Sequence, residues 1–547
     1  MTLFEHLEAV RNGATLTVRE KRTPSPYQQA ILDAVRAGER AITVEATAGS
    51  GKTSLLEMIA QVLDEDEIVE PDAKIGFLAF NQHIVKELKK RLNPTFDIRT
   101  VSSLGHLICK EQMPDLKFEP RKYEDLTRAA VQDAGIPSPA ARRELTDRLG
   151  ACLNLHVGHA LGLDLPLPEW ATAMDAVDAP ILGAEEILHR LTGRILRTGL
   201  AQLRDQHIMS YTDQVLAPVT FGWRLSTPYD FLLLDEAQDL SAAQLQLLQA
   251  ATAPHTRIIG VGDRSQSIYA FSGSDQDSLE KFTATFAAVR RPLSITYRCP
   301  QRHVALARPF TDAIEAAPNA PLGSLDDLTG DEFLTLARPG DLALCRTNAP
   351  LIDWCYRLVG GGIPAVVRGR DLAKSLVALA RDAATFDGVR VHRDRVKDSL
   401  PLDEFAERLN TYASLLADKM IREAEQQGRE PDLRIAGLAD RVGAVIRVLD
   451  EGQAQTLGAL TQDIRTLFAG DPERSVVLST VHRAKGLEAE RVFILEPALL
   501  PHPKARTPQA VSAERCLQFV AYTRSKRDLY FVDAPESCIP DEIRGRA

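Results

Sequence analysis

The chain has little of what stabilises small extracellular or metal-bound proteins. Its 547 residues include seven cysteines, at 109, 152, 299, 345, 355, 516 and 538. No two form a CxxC pair and no histidine pair stands at zinc spacing, which disfavours a cysteine-built metal cluster and suits a reducing compartment. No apolar run approaches the roughly 18 residues of a membrane span. The N-terminal stretch lacks the apolar core of a secretion signal, so a cytoplasmic location without a membrane partner is expected. Excess positive charge is missing too, since the formal net charge is −10. Total charge does not report how Lys and Arg are distributed over a groove, so this alone excludes no polyanionic partner. At 44% hydrophobic, the chain can bury several cores, and about 150 residues per domain gives roughly two to four domains.

What is present centres on Thr43 to Thr53, TVEATAGSGKT. Ile42 and Val44 read as the end of a buried strand. Ala46, Thr47, Ala48, Gly49, Ser50 and Gly51 form a small-residue loop that can bring several backbone N–H groups to an anion. A helix from Ser54 onward points its positive end at the same place. Lys52 can reach β- and γ-phosphates, and the Thr53 hydroxyl can ligate Mg2+. Ala46 stands where the simple pattern has its first glycine, which the loop permits if that residue keeps a negative φ. The competing reading is an ordinary strand-to-helix turn.

Other segments supply further candidates. Gln28, early in a proline-started helix, has an acceptor and a donor that match an adenine edge. Lys74–Asn81 reads as a buried strand ending in Phe80 and Asn81, followed by a helix carrying Lys86, Lys89, Lys90 and Arg91. A short strand ends in Thr100-Val-Ser102-Ser103, and strand ends are where α/β sheets build sites. The four apolar residues Phe231–Leu234 suit a central parallel strand. They deliver Asp235, placed to hold Mg2+, and Glu236, placed to deprotonate a water; an acid-rich helix start is the plainer alternative. Past the strand 257–263, Gln266 can sense a γ-phosphate. Tyr269 and Phe271 can stack on bases, or serve as core.

A second α/β half follows. The strand 293–298 delivers Tyr297 and Arg298, further strands are expected at 341–346 and 363–367, and the sheet returns at 475–488, 491–496 and 528–533. Between strands, 106–210 and 371–470 read as helical, rich in Ala, Leu and Arg. The expected architecture is therefore α/β, with two parallel-sheet domains in tandem, each interrupted by a mainly helical insertion. The first domain takes 1–105 and 211–290, the second 291–370 and 471–547.

Taken in order, these motifs resemble the UvrD/Rep/PcrA-type helicases of superfamily 1. Gln28 is similar to their Q motif and AxAGSGKT to their first motif. Asp235-Glu-Ala-Gln-Asp239 resembles their DExxD box and Val261–Tyr269 their third motif. Tyr297-Arg298, Thr480–Glu488 and Val520–Arg524 are similar to the fourth to sixth. The resemblance implies two RecA-like domains that bind ATP with Mg2+. It implies Lys52, Thr53 and Asp235 at phosphate and metal, Glu236 as catalytic base, Gln266 as γ-phosphate coupler, and Tyr297 stacked on adenine. It further implies Glu488 at the ribose and Arg298 and Arg524 as arginine fingers from the second domain. Phe80, Asn81, Ser102, Ser103, Tyr269, Phe271, Thr480 and His482 would touch DNA. Phe271 stands where the family often has Trp, Arg264-Ser265 replaces an acidic pair, and the second insertion is short. The implied activity is 3′–5′ translocation on single-stranded DNA with unwinding of tailed duplex. An ATP-gated DNA-sensing ATPase without processive unwinding is the rival, and a small-molecule kinase the more distant one.

Overall fold

The computed structural model describes residues 23–544 apart from 66–67, 71, 81, 137–138, 177–180, 182–183, 268–276, 312, 387–399 and 428–431. Asn81, Tyr269 and Phe271 lie outside the described residues. Two six-stranded, all-parallel sheets organise the chain. In the first, strands β1 (Ala41–Ala46), β2 (Ile75–Ala79), β3 (Asp97–Thr100), β4 (Phe231–Leu234), β5 (Arg257–Gly262) and β6 (Val289–Leu293) stand in the order β3-β2-β4-β5-β1-β6. Side chains alternate across this sheet. Phe231 and Leu233 join Ile42, Val44 and Phe77 on the face covered by helices Pro26–Arg36 and Lys52–Glu65. Leu232 and Leu234 join Leu78 and Ile258 on the face covered by helices Val101–Gln112, Ala242–Ala250 and Ser278–Phe286. All four residues of β4 are buried, as a strand covered on both faces requires.

The second sheet is built the same way. Strands β7 (Ser324–Leu328), β8 (Leu342–Cys345), β9 (Ala365–Val367), β10 (Val476–Thr480), β11 (Ala489–Leu495) and β12 (Ser525–Val532) stand in the order β7-β12-β11-β8-β10-β9. These are two tandem RecA-like lobes.

Helices fill the long crossovers. Between β3 and β4, five helices among the described residues, from Lys122 to Phe221, close around a core that includes Trp170, Leu188 and Leu196. Helix Tyr211–Phe221 crosses helix Val101–Gln112 at Gly105, where a Cβ would stand 1.8 Å from the Gln214 carbonyl oxygen, so only glycine allows the approach. Asp213 locks the root of this insertion. Its carboxylate accepts from Lys122 Nζ (2.8 Å), the Tyr123 hydroxyl (2.8 Å) and the Ser210 backbone N–H (2.7 Å). Between β9 and β10, helices Arg370–Ala384, Leu402–Gln427, Asp432–Glu451 and Leu457–Leu467 share a core with the second sheet. Among the described residues, no helix is long and apolar enough to cross a membrane, and no three His, Cys, Asp or Glu side chains gather as a metal site.

One expected boundary moves. Residues 289–293 pair with β1, so the first sheet extends past 290. The expected strand at 293–298 is reduced to Ile295–Thr296, which pairs with Glu315–Ala316 away from both large sheets.

Candidate active site

The phosphate loop leaves β1 and turns into helix Lys52–Glu65, which starts two residues earlier than the sequence suggested and makes Lys52 and Thr53 its first residues. Gly49 (φ 71°) and Gly51 (φ 81°) take left-handed backbone that suits glycine. Thr47 and Ser50 are buried, and their hydroxyl oxygens have no hydrogen-bond partner among the described residues. Orphaned buried hydroxyls are costly unless a ligand or ion satisfies them, and at a helix N-terminus the fitting ligand is an anion.

From this loop a chain of polar contacts runs out of the first lobe. Lys52 Nζ donates to Glu236 Oε2 at 2.7 Å, and Gln238 Nε2 donates to the same oxygen at 2.6 Å. Gln238 Oε1 accepts from the Asp263 backbone N–H at 2.9 Å, and Asp263 Oδ2 accepts from Gln266 Nε2 at 2.5 Å. Gln266 Oε1 then accepts from Arg524 Nη2 at 3.2 Å. Arg524 belongs to the second lobe, where its Nε donates to the Val520 carbonyl at 2.8 Å.

Electrostatics follow from this crowding. Burial opposes the Lys52 charge, but Glu236, Asp235 and Asp263 outweigh it and raise its pKa. Burial, then the neighbouring Glu236, raises Asp235 well above the usual carboxylate range. Glu236 pays the same burial, yet Lys52 and Lys485 hold it below that range. The pair thus divides into an acid that resists ionising and a carboxylate that stays charged. Burial and the nearby Arg298 push Arg524 down to about 10. Glu236 also adopts left-handed backbone, φ 53° and ψ 44°. Such a conformation costs a non-glycine residue about 1–3 kcal/mol and clusters at functional sites.

The remaining candidates fall into two groups. Tyr297 and Arg298 sit at the loop: the Tyr297 N–H donates to the Gly49 carbonyl at 2.9 Å, and a Cβ on Gly49 would stand 2.5 Å from Arg298 Cβ. The Tyr297 ring is exposed and so open to a planar ligand. The Arg298 backbone thus lies against the phosphate loop, and its side chain reaches the second lobe. There Nε donates to Glu488 Oε2 at 2.7 Å and Nη1 to the Thr523 carbonyl at 3.4 Å. Gln28 is tied into its own helix start: its carboxamide oxygen accepts from the Ser25 N–H at 2.9 Å in a capping box, while Nε2 faces Gly51 of the loop.

The strand-contact candidates lie at C-terminal strand ends. Phe80, past β2, is 42% exposed. Ser102 and Ser103 open the helix after β3, where the Ser103 hydroxyl donates to the Thr100 carbonyl at 2.8 Å. Thr100 and Ser103 line a cavity of about 290 Å³ with Lys89 and Arg99. In the second lobe Thr480 ends β10 and is buried. Half-buried His482 follows, lowered to about 4 by burial and Arg346, and so neutral at physiological pH.

Sequence reasoning missed how these residues connect. Gln238, Asp263, Lys485 and Lys526 received no role, although the first three lie within motifs that were singled out. Lys485 Nζ lies 2.7 Å from both carboxylate oxygens of Asp239. Lys526 Nζ lies 2.6 Å from Glu488 Oε1.

A phosphate loop on one RecA-like lobe, joined by a polar chain to an arginine of the next, defines a two-lobed P-loop nucleotide-binding protein. Comparison with known proteins specifies the class. Residues 27–287 match the UvrD/REP helicase N-terminal domain and residues 403–535 the UvrD-like helicase C-terminal domain. F-box DNA helicase protein 1 of Schizosaccharomyces pombe is 22% identical over 533 residues, which covers 90% of this chain and 55% of that protein. DNA helicase IV of Escherichia coli is 26% identical over 337 residues (55% and 49%). Putative ATP-dependent DNA helicase YjcD of Bacillus subtilis is 23% identical over 635 residues (94% and 79%). The chain belongs to the UvrD-like helicases of superfamily 1. It spans about half the length of the first two of these relatives.

Proposed function

We propose that this protein is a DNA-dependent ATPase that moves 3′ to 5′ along single-stranded DNA and unwinds tailed duplex. The observation that carries this reading is the unbroken polar route Lys52–Glu236–Gln238–Asp263–Gln266–Arg524. It links the loop that fits phosphate to a side chain of the opposite lobe. A phosphate bound at the loop competes with Glu236 for Lys52, and so disturbs every later contact on that route. Nucleotide state thereby becomes lobe position, since a ligand shifts an equilibrium by its differential affinity for two arrangements.

Within this reading Lys52 and the loop N–H groups hold the ATP phosphates. Glu236 orients and deprotonates the attacking water, and Arg298 and Arg524 meet the charge that develops on the transferred phosphoryl group. The hard oxygen donors of Thr53 and Asp235 fit Mg2+. When bound there, the ion neutralises charge on the phosphate oxygens. Tyr297 offers the exposed ring for adenine. Phe80, Ser102 and Ser103 on one lobe and Thr480 and His482 on the other are proposed to follow the strand, so that each opening and closing moves one set relative to the other.

The test is strand displacement with ATP on 3′-tailed and 5′-tailed duplexes, alongside ATPase measured with and without single-stranded DNA. Unwinding of the 3′-tailed substrate alone is expected. Stimulated hydrolysis with neither duplex opened would replace the motor with a DNA-sensing ATPase. Absence of stimulation would overturn the reading.

A further inference from the structure

We propose that Lys526 is a positioning residue that governs how readily Arg298 leaves Glu488 for a bound phosphate. The inference rests on the reading of Arg298 as a phosphate contact. In the structure Arg298 has its backbone at the phosphate loop but its guanidinium on a protein anion. Nε and Nη2 both meet Glu488 Oε2, at 2.7 and 2.5 Å. The other oxygen, Oε1, meets Lys526 Nζ at 2.6 Å. One carboxylate is therefore shared between two cations from different segments, one beside the phosphate loop and one on β12.

This sharing has a directional consequence. A γ-phosphate at the loop can recruit Arg298 only by taking it from Glu488. With Lys526 on Oε1, the carboxylate keeps a counter-charge after Arg298 departs, and it is held on the second lobe rather than following the arginine. Without Lys526 all of its attraction falls on Arg298, so the held state deepens and the phosphate-facing state becomes rarer. Arg298 also lies close enough to Arg524 to lower the latter's pKa. Two guanidinium groups in one cleft need an anion between them. Glu488 serves Arg298 in that role here, and transferring phosphate would serve both. The Lys526 and Glu488 side chains are 40% and 38% exposed, so the effect is modest. A partly exposed pair corresponds to at most about fivefold in an equilibrium.

The experiment is steady-state ATP turnover by the full chain with saturating oligo-dT, for wild type, Lys526→Ala, Lys526→Arg, Glu488→Gln, the Lys526→Ala/Glu488→Gln double variant and Arg298→Ala. Lys526→Ala is expected to lower kcat about threefold to fivefold while KM for ATP changes less than twofold. Lys526→Arg is expected to restore kcat. In the Glu488→Gln background, where no carboxylate remains to trap the arginine, Lys526→Ala is expected to cost nothing further. A wild-type kcat for Lys526→Ala, a change confined to KM, or the same fractional loss in both backgrounds overturns the inference. Arg298→Ala separates the two levels. If it turns over like wild type, the reading of Arg298 itself fails; if it is slow while Lys526→Ala is normal, only the role of Lys526 fails.

Discussion

Lys485 of the second lobe and Asp239 of the first meet across the cleft, with the ammonium nitrogen 2.7 Å from each carboxylate oxygen. Their side chains are only 9% and 3% exposed. Asp239 lies three residues beyond Glu236, and Lys485 three beyond His482, so the pair ties the hydrolytic motif to the segment proposed to follow DNA. Removing one partner of a buried pair typically costs about 3–5 kcal/mol, because the other charge is left without compensation. Lys485→Ala is therefore expected to abolish most of the stimulation of ATPase by single-stranded DNA. Nucleotide affinity, measured by fluorescent-nucleotide titration, is expected to stay near wild type, since the phosphate loop is untouched. Undiminished stimulation would show that the lobes communicate by another route.

A second prediction concerns the three cations of the candidate site. Lys52→Ala should lose both nucleotide binding and hydrolysis. Arg298→Ala and Arg524→Ala should still bind ATP but turn it over about 10³–10⁵ times more slowly, the range found for arginines that meet a transferring phosphoryl group. Single-turnover kinetics beside equilibrium binding separates the two behaviours. Arg524 carries an added structural load, since its Nε bonds the Val520 carbonyl, so Arg524→Lys is a useful companion. Equal turnover in the arginine variants would remove both from the mechanism.

The two-lobed plan and the strand–loop–helix around Gly49–Thr53 were legible because they depend on local pattern: buried apolar runs such as Phe231–Leu234, and small residues followed by Lys52-Thr53. Strand β6 was not, and its sequence says why. Val-Arg-Arg-Pro-Leu has no apolar alternation and contains Pro292, which a sheet tolerates mainly at its edge. Among the described residues β6 is that edge, paired only to β1. Gln28 is ambiguous for a different reason. A capping box satisfies the same carboxamide that ligand recognition would use, and nothing in a single sequence says which partner wins. The polar route was illegible as a whole, because its long links, from Lys52 to Glu236, Gln238 to Asp263 and Gln266 to Arg524, the last across 258 positions, are closed only by the fold.

A third prediction tests the root of the first insertion. Asp213 is fully buried and holds Lys122, Tyr123 and Ser210 together. Asp213→Ala strands a buried ammonium and leaves a phenol hydroxyl unpaired, which should destabilise this region by about 3–5 kcal/mol. Thermal unfolding should show a lowered transition. Limited proteolysis should show earlier cleavage within 106–210 than in the second lobe. Asp213→Asn, which keeps the shape and some hydrogen bonds but loses the charge, should fall between. An unchanged transition in Asp213→Ala would mean that the helices around Trp170 set the insertion's stability without this anchor.

The last prediction uses pH. His156 is 2% exposed, and its Nδ1 accepts from the Trp170 indole N–H at 3.2 Å. The remaining proton therefore sits on Nε2. Burial lowers the pKa of this imidazole from 6.5 to about 4, so the folded state binds a proton less readily than the unfolded chain. A group depressed on folding contributes its full stability above the unfolded pKa and loses it as pH falls towards the folded one. Between pH 6.5 and 4 the loss amounts to about 3 kcal/mol at 1.36 kcal/mol per unit. The insertion should therefore unfold at progressively lower denaturant concentration across that window. His156→Gln can still accept from Trp170 but does not titrate, so it should flatten the slope. His482, also near 4, titrates in the second lobe and should leave a residual slope in that variant. If wild type and His156→Gln lose stability in parallel from pH 6.5 to 4, His156 is already charged in the fold, and the Trp170 bond cannot be what holds its ring.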